Sequence, residues 1–179
     1  MDFKFQYEHK HTDKYSIELF KKFESNIEEI MNNVCNNALE FNLDPYNYKN
    51  FVGHGANNYI FKLDEHFILR FTCPLSTCKW NNSLFIQENK ELIEREMYGL
   101  HMQKKLCNLD NIANIYSYGT IKIYQNNSST EILYSIMDHL KGDFLNPEKK
   151  YNFQDIKLIL KILIKTLLFL NNENFSHRD

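Results

Sequence analysis

The sequence has little that would mark a secreted, membrane-borne or nucleic-acid-binding protein. Its four cysteines, Cys35, Cys73, Cys78 and Cys107, are too sparse for a disulfide framework. An intracellular, cytoplasmic setting is therefore expected. Cys73 and Cys78 lie close together, but no second close Cys/His pair follows them. Cys107 with His101 is a poor substitute, so ordinary thiols are expected and no metal site. The net charge of -2 provides no general positive field for a nucleic-acid partner. Met1 to Lys14 is polar and charged throughout and carries no apolar secretory stretch. The longest apolar segment, near the end, falls short of the roughly twenty uninterrupted apolar residues that a membrane span requires. Asn-x-Ser/Thr triplets such as Asn81-Asn82-Ser83 and Asn126-Asn127-Ser128 read as solvated loops.

What is present fits a globular domain: 179 residues, 43% hydrophobic and 25% charged. From Ser16 to Phe41 the apolar residues Phe20, Phe23, Ile27, Ile30, Val34 and Phe41 recur at helical spacing, giving one stripe on a helix. Asp44-Pro45 ends it, and packing on the following domain is the expected use of the stripe. The texture then changes to short β-type runs at Tyr48 to Val52, Tyr59 to Leu63 and Phe67 to Phe71, broken at Gly53-His54-Gly55 and Asp64-Glu65. A helix is expected from about Phe85 to Leu106, because Leu92, Ile93, Met97 and Leu100 share a face. Two more strands fit Ile112 to Tyr124 and Glu131 to Met137. A last helix, Phe153 to Asn171, is apolar on most sides, with Lys157, Lys161 and Lys165 on one narrow stripe. Such a helix is normally the buried centre of a larger body. Its apolar face is too broad, and its basic stripe too thin, for a helix lying on a membrane surface.

Three places carry possible chemistry. Gly53-His54-Gly55 lies between strands, where glycine permits close backbone approach to a phosphate; alone it is only a turn. Arg70 shares a strand face with Ile68, while Glu96 sits four residues from both Leu92 and Leu100 on the apolar face of a helix. Opposite charges on two inward faces suggest an ion pair, against the plainer reading that both reach for the rim. His177-Arg178-Asp179 follows the apolar helix directly.

Taken in order, these segments resemble the protein kinase family. Phe51 to Ile60 is similar to the glycine-rich loop, with Asn58 where a third glycine is usual. Phe67-Ile68-Leu69-Arg70 resembles the third-strand motif that ends in the nucleotide-binding lysine, and Arg95-Glu96-Met97 resembles the helix that carries its glutamate partner. Ile132 to Leu140 resembles the fifth strand and hinge, and Phe175 to Asp179 the opening of the catalytic loop. The resemblance implies an α+β fold: a kinase-like small lobe, with a five-stranded antiparallel sheet and one helix, over 48–141. An N-terminal helical extension (1–47) precedes it and the first large-lobe helix (142–179) follows, with the large lobe otherwise missing.

It implies ATP and magnesium as cofactors of the complete fold and a protein hydroxyl, of serine/threonine type, as acceptor. Val52, Gly53, Gly55, Ile60, Arg70, Met137 (as gatekeeper), Asp138 and Leu140 are implied as nucleotide contacts. Asp179, Arg70 and Glu96 are the implied catalytic set. This sequence departs from the family in carrying arginine for the lysine and a longer stretch between Arg70 and Glu96. It contains no Asp-Phe-Gly and no catalytic-loop asparagine after Asp179. The 179 residues alone are therefore expected to hold ATP weakly or not at all, and to transfer no phosphate. A non-catalytic interaction module bound to a protein partner is the alternative. The apolar helix 153–171 is expected to favour self-association, unless the helix at Ser16 to Phe41 covers it.

Overall fold

A computed structural model describes residues 3–10, 13–39, 49–55, 58–72, 83–106, 112–125, 128–141 and 148–172. Cys73, Cys78, Cys107, both Asn-x-Ser triplets in part, and His177-Arg178-Asp179 lie outside the described residues. The fold is α+β, with a six-stranded antiparallel sheet and three helices. In chain order the elements are β1 (Lys4–His9), α1 (Lys14–Leu39), β2 (Phe51–His54), β3 (Asn58–Lys62), β4 (Phe67–Thr72), α2 (Ser83–Lys105), β5 (Ile115–Gln125), β6 (Ser128–Asp138) and α3 (Phe153–Asn172). The sheet order is β1-β5-β6-β4-β3-β2.

The sixth strand corrects the expectation of five. Met1 to Lys14 is polar by count, yet Phe3, Phe5, Tyr7 and His9 alternate with Lys4, Gln6 and Glu8, and burial alternates with them. That period of two lays the aromatic face of β1 on the core while the charged face stays wet. β1 pairs with β5 in register from Lys4 opposite Tyr124 to His9 opposite Gly119.

Two layers of helix sandwich this sheet. Asp13 caps α1: its carboxylate accepts from the Ser16 backbone N–H at 2.9 Å, and its carbonyl accepts from the Ile17 N–H. The buried Ser16 hydroxyl also donates to the Tyr116 carbonyl of β5, fixing the start of the helix on the sheet. The expected stripe then packs on one sheet face: Phe20, Phe23, Ile27, Ile30 and Val34 are buried with Tyr59, Phe61, Phe71, Tyr134 and Ile136. Burying a side chain of this size stabilises by about 1.5–3 kcal/mol, so the stripe holds α1 to the sheet. That face of α1 is thereby taken up by the sheet.

On the opposite face, Ile93 and Leu100 of α2 pack on Ile115, Tyr118, Leu133 and Met137, with Met97 and Ile68 beside them. His101 Nδ1 lies 3.1 Å from the Tyr118 hydroxyl, and Gln103 Nε2 donates to the Ala113 carbonyl at 2.9 Å. These bonds fix the rotation of α2, and with it the position of Glu96.

The strand expected at Tyr48 to Val52 starts later, at Phe51. Asn50 has φ 70°, in the left-handed region that ends an extended run, and its carbonyl accepts from the Lys62 N–H at 2.7 Å. Gly53 and His54 belong to β2 rather than to the break after it. β5 and β6 run closer to each other than expected, to Gln125 opposite Ser128.

The chain divides into two compact units, Met1–Asn108 with Ile112–Leu140, and Leu109–Asn111 with Lys141–Asp179. In the second, the Asn152 side chain caps α3 by accepting from the Asp155 N–H at 2.9 Å. Along α3, Phe153, Ile156, Leu158, Leu160, Leu163, Ile164, Leu167 and Leu168 are exposed, and Leu170 is buried. No helix among the described residues is long and apolar enough to cross a membrane.

Candidate functional site

The antiparallel register sets one row of residues straight across the α2 face of the sheet. Gly53 of β2 is opposite Ile60 of β3, Ile60 is opposite Arg70 of β4, and Arg70 is opposite Ser135 of β6. The next row along contains Ile68 opposite Met137, and Met137 opposite Ile115. Paired residues in a sheet project to one side, so Gly53, Ile60, Arg70 and Met137 share the face to which α2 also brings Glu96.

Arg70 Nη2 donates to Glu96 Oε2 at 2.7 Å, with both side chains about a quarter exposed. The reason is local: Glu96 projects from the packed face of α2, between Leu92 and Leu100, towards a strand whose inward position is a cation. Charge-assisted bonds of this kind are shorter and stronger than neutral ones. Arg95, beside it on the helix, is exposed and reaches Glu96 only at 3.8 Å.

A second partner on Arg70 was not foreseen. Its Nε–H donates to the side-chain carbonyl of Asn58 at 2.9 Å, and the same oxygen accepts from the Thr72 hydroxyl at 2.6 Å. Asn58 opposes Thr72 in the β3–β4 hairpin, one step from Ile60 and Arg70 on the same face. Its backbone carbonyl accepts from the Gly55 N–H at 2.9 Å, closing the β2–β3 turn. The guanidinium is therefore held along one edge by Asn58 and Glu96, and its Nη1 has no partner among the described residues. Sequence reading noticed Asn58 only as a missing glycine. Counting the hairpin back from its turn at Asp64 would have put it against Thr72.

The glycines fit the same picture. Among the described residues, a Cβ built on Gly53 or Gly55 meets no atom within 4 Å, so none of them demands glycine at either position. Val52 is the extra residue where the β2–β3 register shifts, and its side chain is exposed. Ser135 is buried, and its hydroxyl has no hydrogen-bond partner among the described residues.

At the end of β6 the backbone is fixed on both sides. Asp138 N–H donates to the Asn114 carbonyl at 3.1 Å, and His139 N–H to the His66 carbonyl at 2.7 Å. The Asp138 carboxylate accepts from the Asn114 N–H at 2.8 Å and from the Tyr116 hydroxyl at 2.7 Å. Burial, reinforced by that bond to Asp138, pushes the Tyr116 hydroxyl up to about 12. Leu140, two residues on, is exposed. Met137 is buried against Ile68 and Ile115. The structure thus brings Gly53, Ile60, Arg70, Glu96 and Met137 to one face and carries Asp138 and Leu140 out from its end. Asp179 lies outside the described residues. No group of metal-ligating side chains occurs among the described residues.

No family model and no solved structure matches the chain. Among curated proteins, the serine/threonine-protein kinase cds1 of Schizosaccharomyces pombe is 24% identical over 117 residues. The match covers 63% of this chain and 25% of that protein, so the chain spans only about a quarter of that relative's length. This weak similarity to a serine/threonine kinase supports a kinase-related origin for the chain.

Proposed function

We propose that the α2 face of the sheet is the nucleotide-binding face of a protein-kinase small lobe. In the complete protein it would hold ATP with magnesium, for transfer of the γ-phosphate to a serine or threonine hydroxyl of a protein. The observation that carries this is the row Gly53–Ile60–Arg70 with Glu96 bonded to Arg70 at 2.7 Å. A glycine-bearing strand end, an apolar platform and a paired cation in line are the parts needed to cradle phosphate, cover a base and hold anionic charge. Open space at Gly53 and Gly55 among the described residues supports the same reading, since it leaves room for a phosphate to approach the backbone.

In this reading Ile60 and Met137 border the base, the backbone from Asp138 to Leu140 meets its edge, and Arg70 faces the phosphates. Asp179 would orient the acceptor hydroxyl and receive its proton. With an arginine rather than a lysine facing the phosphates, we expect nucleotide to be held weakly. The test is photo-crosslinking with an azido-ATP analogue followed by peptide mapping. Label on the peptides carrying Gly53 and Met137, lost with Arg70→Ala, is the expected result; label elsewhere, or insensitive to Arg70, sinks the reading.

A second reading, a non-catalytic module that binds a protein partner, is favoured by one observation. The Arg70 fork is already bonded to two partners along one edge, unlike a mobile ammonium that can follow a phosphate. Absence of any nucleotide label would favour it.

A further inference from the structure

We propose that Asn58 is a positioning residue for Arg70: it locks the guanidinium so that the Nη1 side is presented to an anionic ligand group. The inference rests on the nucleotide reading of this face and assigns a role to a residue that the reading alone would count as a defect in the glycine-rich loop.

An arginine standing where a lysine is usual poses a geometric problem. Lysine offers a compact charge on a flexible stem, whereas arginine offers a planar fork whose usefulness depends on its orientation. Glu96 alone accepts from one nitrogen and leaves the plane free to rotate about that contact. Asn58 removes this freedom, because its side-chain oxygen takes the Nε–H at 2.9 Å, at the base of the fork. The Thr72 hydroxyl, buried at 2% exposure, donates to the same oxygen at 2.6 Å and so holds the Asn58 amide in turn. Glycine at position 58 could supply none of this. It would leave the Arg70 Nε–H and the Thr72 hydroxyl without their acceptor. Two of the departures from the kinase pattern, Asn58 and Arg70, are thus one coupled substitution: the asparagine makes the arginine usable.

The same residue also links loop and cation. Its backbone carbonyl closes the turn through the Gly55 N–H, while its side chain fixes Arg70. A phosphate approaching Gly53 and Gly55 would therefore meet a guanidinium whose position is tied to the loop itself.

The test uses the 179-residue chain in magnesium-free buffer, titrated with ADP and with adenosine and followed by NMR. Four forms are compared: the parent, Asn58→Gly, Arg70→Lys and the double variant. We expect Asn58→Gly to weaken ADP binding about fivefold or more, with adenosine changed less than about twofold. In the Arg70→Lys background the same change should move ADP binding less than about twofold, because the ammonium has no Nε–H to hold. Equal losses for ADP and adenosine, or equal losses in both backgrounds, overturn the proposal and leave the nucleotide reading standing. A parent chain with no preference for ADP over adenosine overturns both. Independently of any variant's folding, the Arg70 Nε–H of the parent should exchange with solvent more slowly than that of exposed Arg95. Exchange as fast as that of Arg95 overturns the proposal.

Discussion

His9 Nδ1 lies 2.6 Å from the Tyr134 hydroxyl, with the two rings at right angles, although a whole strand runs between β1 and β6. The contact exists because the residue between them is Gly119, opposite both His9 and Tyr134. A Cβ on Gly119 would overlap the Glu8 carbonyl oxygen. We predict that Gly119→Ala forces β1 away from β5 and destabilises the chain by about 1–3 kcal/mol or more. Urea unfolding measures it, and a loss below about 0.5 kcal/mol would show that β1 does not approach so closely.

The same contact makes stability depend on pH. Burial lowers the His9 pKa, opposed by the Glu24 carboxylate; the other titratable group on the ring is the Tyr134 hydroxyl, which burial holds neutral. The unfolded chain then binds the His9 proton more readily than the folded one. Its contribution is complete above the ordinary histidine value of 6.5 and is lost as pH falls from there towards the lower folded value. His9→Gln should flatten the melting temperature profile between about pH 7 and about pH 5. Parallel profiles for parent and variant would assign the acid sensitivity elsewhere.

Tyr116 reports on the end of β6. Burial and the bond from its hydroxyl to Asp138 put its ionisation at about 12. Asp138→Asn should bring that value down only part of the way to the ordinary 10.0, because burial is the larger cause and remains. Ultraviolet titration, with Tyr116→Phe identifying the signal, checks this. A full return to the ordinary value would mean that Asp138, rather than burial, dominates.

α3 exposes Leu163 and Leu167 among its apolar residues. An apolar surface of that kind binds hydrophobic dyes and favours association. The double change Leu163→Glu with Leu167→Glu should reduce dye binding and concentration-dependent association, while the cooperative melt of the first unit is retained. Unchanged dye binding would place the sticky surface outside this helix.

Much of the first unit was legible from periodicity. The stripe Phe20–Phe23–Ile27–Ile30 and the face Ile93–Met97–Leu100 are repeats whose spacing is fixed by helix geometry alone. Arg70 and Glu96 were readable as partners because each is a charge on an otherwise inward face, and the structure joins them at 2.7 Å. β1 was hidden by composition: its charged half outweighs its aromatic half unless the residues are read alternately. The role of Asn58 was hidden by register, since a polar residue near a glycine turn reads as solvated until its opposite number is known.

The sequence by itself determined which residues turn inward in α1, α2, β3 and β4, because that follows from the local twist of the backbone. It also set a half-buried charge on β4 and another on α2. Only the tertiary structure decided that β1 joins the edge of β5, that α1 covers one face of the sheet, and that Asn58 takes hold of Arg70. Those are choices among distant partners. They depend on strand register and on close approaches such as the one at Gly119, and no short stretch of sequence contains both sides of such a contact.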